Sequence, residues 1–418
     1  MTDRQHHSHP RPANSRFPRS RPLWHTYVGI TGLLLIIVVA LAGGIIWYDS
    51  KKSNELAVAA AERLMLEASE EISDRINLLY DPMYAIVGIA SQVPELTSPA
   101  IRDDARAMSL ILRVLKVYPQ ILSLYVGFDN GDFFMVTHLA GENGAERRAA
   151  PHAPQEASFA NEIITGDSAT ERNVRWVFLA EDGAVVGRRD SAPATFDPRE
   201  RPWYDIAKSS DVVERSDLYI FASSGEPGFT LSRGFTLSRG FKGPTPGVMG
   251  ADLAAVDLAH YLRDQRITAT STAFIFTKTG EVVALPDARR IARAVHPNGQ
   301  EMVVPPKIGS LNDPVIAGLV AAYEDGRMSG TRMYKVADRP YIGRVVEIPP
   351  RYGRDQLLAI LVPVDEIEKP ITEIRNQTLL YSIAFLVLAL PLYVTLVVAW
   401  IDRRLEGRAR WPQVRDDD

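Results

Sequence analysis

The chain has 418 residues, a formal net charge of −4 and no cysteine. Its length allows about two or three domains, and the missing thiols exclude disulfides, thiol catalysis and cysteine metal sites together. Residues 1–27 carry five Arg against Asp3 and residues 402–418 five Arg against five acids; the 37 basic and 45 acidic residues between them leave −8 there, which argues against a nucleic-acid partner.

In chain order, residues 1–23 are rich in Arg, Pro, Ser and His and read as a disordered tail. His6, His7 and His9 could hold a metal only weakly, and a solvated basic tail is the better reading. Val28 to Trp47 then runs without a charge, as does Thr378 to Ile401. A bilayer core of about 30 Å needs roughly 20 helical residues, so both are expected to span it. The first has too long an apolar core for a signal peptide, whose h-region is roughly 7–15 residues, and reads as a retained anchor. Arg4, Arg11, Arg16, Arg19 and Arg21 precede the first span, and Arg403, Arg404, Arg408, Arg410 and Arg415 follow the second. Only Lys51 and Lys52, among Asp49 and Glu55, lie just beyond the first. Both termini are therefore expected in the cytoplasm. Trp24, Tyr27, Trp47, Tyr48 and Trp400 stand where an interfacial aromatic belt would put them.

From Asn54 the apolar residues Leu56, Ala60, Leu64, Ala68, Ile72, Ile76, Leu79, Met83, Ile86 and Ala90 recur at helical steps, with acidic residues between them. This predicts one long amphipathic stalk helix, about 50 Å at 1.5 Å per residue, with a kink expected at Pro82. Its stripe serves either as a dimer seam or as a face packed on its own domain, and is expected to do each in turn, with the seam nearer the membrane. A second helix is expected over Ile101 to Val117.

The period then becomes two. Ile121 to Phe128 and Phe133 to His138 flank Asn130-Gly131, and Trp176 to Leu179 and Ala184 to Arg188 flank Asp182-Gly183; both read as hairpins. Strands are expected over Tyr219 to Phe221, Phe229 to Phe241 and Gly247 to Leu253, with a short helix over Asp257 to Arg263. A second lobe follows: a hairpin over Ala273 to Leu285, a helix over Pro314 to Tyr323 capped by Asp313, strands over Tyr341 to Ile348 and Gln356 to Val362, and a helix from Val364 to Arg375 into the second span. Gly228 to Arg233 is repeated at once from Gly234. A period of six is even and would leave the faces of a strand unchanged.

Enzyme motifs are lacking: there is no GxSxG, HExxH or phosphate-binding GxxxxGK[ST], and no GxGxxG opening a helix. His138, His152, His260 and His296 are scattered without ligand spacing. No catalytic residue, metal or cofactor is expected. One segment stands apart, Phe196-Asp197-Pro198-Arg199-Glu200-Arg201-Pro202-Trp203-Tyr204. Pro202 disfavours helix at Arg201 and suits the first turn of a new one. Arg201 can clamp a carboxylate bidentately; Trp203 offers an indole N–H and an apolar wall, and Tyr204 a hydroxyl. A cation–π cluster that only locks a strand-to-helix corner is the competing reading.

The stalk helix, two lobes between two spans, and R-x-W-Y after the third strand together resemble the double Cache family, extracytoplasmic sensor domains of bacterial receptors. The likeness covers about Asn54 to Ile374. It implies an α+β fold: a long N-terminal stalk helix with two PAS-like α/β lobes between two transmembrane helices. In the amino-acid-binding subset a Tyr precedes Arg-x-Trp-Tyr by four intervening residues, and a distant Asp lies in G-V-x-G-x-D. Gly247-Val248-Met249-Gly250-Ala251-Asp252 matches that strand, whereas Phe196 replaces the first Tyr. The resemblance assigns Arg201 and Trp203 to a ligand carboxylate, and Asp252 with Tyr204 to an ammonium. The missing hydroxyl at Phe196 keeps carboxylates and other small amines open as ligands.

The expected organisation is a cytoplasmic tail over 1–27, a transmembrane helix over 28–48, stalk and packing helices over 49–117, a membrane-distal ligand-binding lobe over 118–265 and a membrane-proximal lobe over 266–364. An exit helix over 365–377, a second transmembrane helix over 378–401 and a short cytoplasmic tail over 402–418 complete it. The resemblance implies a multi-pass protein of the bacterial inner membrane with a periplasmic ectodomain, a small-molecule ligand and a homodimer. Relatives continue after the second span into a HAMP linker and an effector, whereas here only Asp402 to Arg408 resembles the first turn of such a linker. The effector, a cyclase, kinase or similar, is therefore expected on a separate chain; a truncated receptor and a structural protein with a vestigial pocket are the alternatives.

Overall fold

The computed structural model describes residues 24–408 apart from 142, 150, 167–170, 236–244, 265, 287–292, 296–300, 304, 324–329 and 354. In chain order the elements are α1 (Trp24–Ala90), α2 (Ala105–Val117), β1 (Ser123–Phe128), β2 (Phe133–His138), α3 (Gly144–Ala149), β3 (Phe159–Gly166), β4 (Arg172–Leu179), β5 (Val185–Pro193), α4 (Pro202–Ala207), β6 (Glu214–Arg215), β7 (Tyr219–Ile220), β8 (Pro227–Phe235), β9 (Gly247–Ala254) and α5 (Ala255–Asp264). They continue with β10 (Thr272–Thr277), β11 (Val282–Ala284), β12 (Arg293–Val295), β13 (Glu301–Val303), α6 (Pro314–Ala322), β14 (Gly330–Val336), β15 (Arg339–Glu347), β16 (Gln356–Pro363) and α7 (Val364–Arg408).

The described residues fall into two compact units, one within Ala59–Lys369 and one within Met1–Val58 and Pro370–Asp418. The second of these is helical. Leu379–Ile401 is 23 residues long and apolar enough to cross a membrane, and its large side chains are bare, Leu388 at 75% and Phe385 at 73% exposure. In α1 the apolar run found among the described residues is Leu35–Gly44, shorter than the expected 28–48 span.

The unit within Ala59–Lys369 holds two antiparallel sheets. The first lobe has nine strands in the order β5-β4-β3-β2-β1-β9-β8-β6, with β7 paired to β8. The second has five, β11-β10-β16-β15-β14, and β12 and β13 form a separate ribbon. Both predicted hairpins of the first lobe form, with Gly131 at φ +89° and Gly183 at φ +88° supplying the left-handed turn residue. Asp313 caps α6 as expected, accepting from the backbone N–H of Val315 and Ile316.

The α1 stripe differs in register from the expectation. Ala61, Met65, Ile72, Ile76, Met83 and Val87 are buried in the core that α1 shares with both lobes, whereas Ala60 and Leu64 are exposed. The stripe thus changes lateral position before Ile72. Pins from the second lobe fix α1 further on: the Tyr84 hydroxyl donates to the Arg351 carbonyl, and Arg351 pairs with Asp81. Strands β3, β6, β12, β13 and β14 were not expected. The R-x-W-Y segment follows β5, not a third strand, because β3 and β4 form a hairpin before it. The first Gly-Phe-Thr-Leu-Ser-Arg copy lies in β8; beyond Phe235 the second copy, with the strand expected there to Phe241, falls outside the described residues, as do His296 and the tail histidines.

Candidate functional site

The segment after β5 is set by its own charges. Asp197 has β-region backbone and accepts from the Arg199 N–H, capping a 3₁₀ turn over Pro198–Glu200. Its carboxylate also receives Arg199 Nη2 at 2.7 Å and Arg172 Nη2 at 3.1 Å, and the Arg199 bonds hold it below the usual carboxylate range. Arg201 is extended, φ −94° and ψ 145°, and Pro202 opens α4, as the residue before a proline should be. Gly127 permits this docking, since a Cβ there would meet Pro198 at 2.8 Å and Trp203 at 2.9 Å.

Against this segment, the sheet of the first lobe leaves a cavity of about 340 Å³, within the range of small-molecule sites. Phe196, Arg201, Trp203 and Asp252 all line it. Arg201 rests over the rings of Tyr219 and Phe196, its carbon 5.6 and 5.9 Å from their centroids. Its Nη2 donates to the Ile220 carbonyl at 2.9 Å, and among the described residues it meets no carboxylate. Trp203 is buried edge-on against Tyr125 at 4.8 Å between centroids, and its indole N–H has no partner among the described residues. Both functions of the corner are therefore present: the cation–π packing and a guanidinium free of anions.

Asp252 is 3% exposed. Tyr125 Oη and Thr230 Oγ1 each donate to its Oδ1 at 2.6 Å, and Tyr219 Oη bonds Thr230 Oγ1 at 2.5 Å. Both donors use one oxygen, so Oδ2 is left without a hydrogen-bond partner among the described residues. Burial pushes this carboxyl up to about 7, against the pull of the two hydroxyls and of Arg201. Gly250 makes the network possible. The Tyr125 ring lies over it, 2.4 Å from where a Cβ would stand, and so reaches Asp252 two residues along the same face.

Tyr204 is placed elsewhere. Its hydroxyl donates to the Asp129 carboxylate, and it is not part of the cavity wall. On a helix, neighbouring residues point about 100° apart, so α4 can turn Trp203 or Tyr204 to the cavity but not both. Tyr125, Tyr219 and Thr230 escaped the sequence reading although their strands were recognised, since alternation shows two faces without naming the one that meets a ligand. Glu162 also lines the cavity; it lies on β3, which was not expected at all.

A long helix bearing two antiparallel PAS-like lobes, the first with a polar cavity behind R-x-W-Y, is the arrangement that the resemblance to the double Cache family implies. No family model matches the chain. It is 25% identical over 376 residues to adenylate cyclase 1 of Rhizobium meliloti, covering 88% of this chain and 54% of that protein. It is 26% identical over 176 residues to the methyl-accepting chemotaxis protein PctB of Pseudomonas aeruginosa, covering 40% of this chain and 26% of the relative. The chain thus spans about half the length of the first relative, and its likeness to the second is confined to about a quarter of that protein. Among solved structures, the sensory domain of the Campylobacter jejuni chemoreceptor Tlp3 aligns over 75% of this chain and 96% of its own, at 13% identity and TM-score 0.44. The ligand-binding domain of the Pseudomonas fluorescens chemoreceptor CtaA with L-isoleucine aligns over 74% and 97%, at 18% identity and TM-score 0.42.

Proposed function

We propose that the protein is a bacterial inner-membrane sensor whose first lobe binds a small zwitterion, amine or carboxylate outside the cytoplasm and signals to a cytoplasmic effector. The observation that supports it is a pair of groups in one cavity, the Arg201 guanidinium, which contacts no carboxylate, and Asp252 Oδ2, which accepts no hydrogen bond, among the described residues. A ligand carboxylate meets the first through a fork-shaped pair of bonds, with the Trp203 N–H beside it. An ammonium meets the second. Tyr204, turned to Asp129, is left out of this contact and supports the wall from behind. The test is a thermal-shift screen of the full chain in detergent against amino acids, amines and carboxylates. A ligand at 100 times its Kd should add about 2.7 kcal/mol of stability, and Arg201→Ala should abolish the response. An undiminished response in that variant removes the assignment.

Two spans, 28–48 and 378–401, with both termini cytoplasmic, complete the proposed topology. The effector is proposed as a separate chain. A longer polypeptide carrying its own effector competes, favoured by the 54% coverage of the cyclase relative; the mass of the protein purified from its native source separates the two. The sensor is further proposed to pair along the stripe around Ala60 and Leu64, which its own lobes leave exposed. The side chains of Glu55 and Leu56 lie outside the described residues. Single cysteines at Leu56, Ala60 and Leu64 should crosslink in membranes, and those at Glu55 and Glu62 much less, on a background free of native thiols. Equal crosslinking at all five sites excludes the seam.

A further inference from the structure

The cavity wall carries four carboxylates, Asp252, Asp197, Glu200 and Glu162; Glu200 is exposed to solvent, and half-buried Glu162 is the one that recognition of a plain α-amino acid leaves unused. Strand register sets Tyr125, Met135 and Glu162 in one row, β1 to β2 to β3, with Gly250 on β9 at its other end. Asp252 lies two residues beyond Gly250, hence on the same face. Glu162 and Asp252 are therefore opposite ends of one wall, and both line the cavity.

Among the described residues Glu162 makes no hydrogen bond and no ion pair. Arg189, two strands away on β5, is the cation that bears on its charge, but its guanidinium sits over the Trp176 ring at 5.9 Å. Asp197, also in the wall, is already neutralised by Arg172 and Arg199. A plain zwitterion satisfies Arg201 and Asp252 and leaves Glu162 without a counter-charge. Glu162 is half-buried, and that burial raises its carboxyl to about 7, as expected of an acid with no cation in contact.

Resting on the zwitterion reading above, we infer that Glu162 selects ligands with a second cation at the far end: the preferred class is basic α-amino acids. With exposed Glu200 left to solvent and Asp197 paired, Asp252, Glu162 and Arg201 complement two cations and one carboxylate. The dimensions agree. Three strand steps of about 4.8 Å, with the two-residue offset to Asp252, put the backbones of Asp252 and Glu162 about 16 Å apart, a span that the two acid side chains can shorten by leaning together. An extended arginine measures about 7 Å from α-nitrogen to guanidinium, and a hydrogen bond of about 2.9 Å at each end brings that to about 13 Å.

The test is calorimetry on the full chain in lipid nanodiscs with L-arginine, its uncharged isostere L-citrulline, and L-leucine. Arginine should bind about 10- to 100-fold more tightly than citrulline, the range of one charge-assisted contact. Glu162→Gln should bring the two within about threefold, leaving citrulline unchanged. Equal binding of arginine and citrulline by the wild type overturns the inference, and so does a ratio that survives Glu162→Gln. Binding of leucine alone also overturns it while leaving the zwitterion reading in place. Binding of none of the three removes that reading and the inference with it. Should Glu162→Gln fail to fold, the wild-type comparison of lysine with norleucine decides by the same criterion.

Discussion

The two lobes carry similar antiparallel sheets and close them differently. In the second, Phe274 and Phe276 from β10 meet Ile316, Leu319 and Tyr323 of the α6 region in an apolar cluster. Leu319 fits so tightly that a Cβ on Gly343 would stand 2.3 Å from its Cδ1. In the first, the sheet face behind R-x-W-Y carries Tyr125, Met135, Glu162 and Asp252 around a cavity. One lobe spends its sheet face on packing and the other keeps charges there that its own chain does not satisfy. On the function proposed above, stability and recognition are divided between them.

The largest effect should come from breaking the packed side. Leu319→Ala should cost about 2–5 kcal/mol of stability through the cavity it leaves, while ligand affinity stays within about twofold. Calorimetry on the folded variant checks it, and a large loss of affinity would show the division to be false.

The next is a pH effect belonging to the cavity. Asp252 has a folded pKa of about 7 against an ordinary 3.8, so between these values the folded chain holds a proton that the unfolded chain has released. The Asp252 contribution to stability of the ligand-free protein is therefore fully present below about pH 4 and is lost as pH rises to 7. The loss is about 1–4 kcal/mol at roughly 1.4 kcal/mol per unit, and Glu162 acts in the same direction. Unfolding measured at pH 5 and pH 8 should show the fall, Asp252→Asn should reduce it to the share that Glu162 contributes, and Leu319→Ala should keep it. Stability rising over this interval would mean Asp252 is charged and satisfied without ligand.

The smallest concerns Phe196, whose ring lies 4.8 Å from Phe133 and beside Arg201. Phe196→Tyr should leave the fold intact and tighten amine-bearing ligands by up to about tenfold if its hydroxyl forms one charge-assisted bond. No gain for any amino acid in calorimetry would point to a ligand without an ammonium.

Much of the fold could be read because its punctuation is local. Asn130-Gly131, Asp182-Gly183 and Asp313-Pro314 each fix a turn or a cap through their own backbone preferences. The strand β3 escaped because Asn161 and Glu162 stand mid-strand on adjacent faces, where alternation would place an apolar residue on one of them. That interruption is itself the cavity. Phe196, Arg201, Trp203 and Asp252 of the motif line one cavity, but its spacing cannot tell that α4 turns Tyr204 away. Gly250 was quoted for its place in a pattern; its reason, the Tyr125 ring lying across it, exists only between strands.

Asp252 is followed by only Leu253 and Ala254 before α5 begins. Leu258 and Leu262 of that helix are buried in the core that also takes in Ala273 and Ile275 of the second lobe. The anchoring point proposed for an ammonium is thus geared to the neighbouring lobe with no slack. A pull on the Asp252 carboxylate meets no loop that could absorb it before reaching a helix wedged between the lobes.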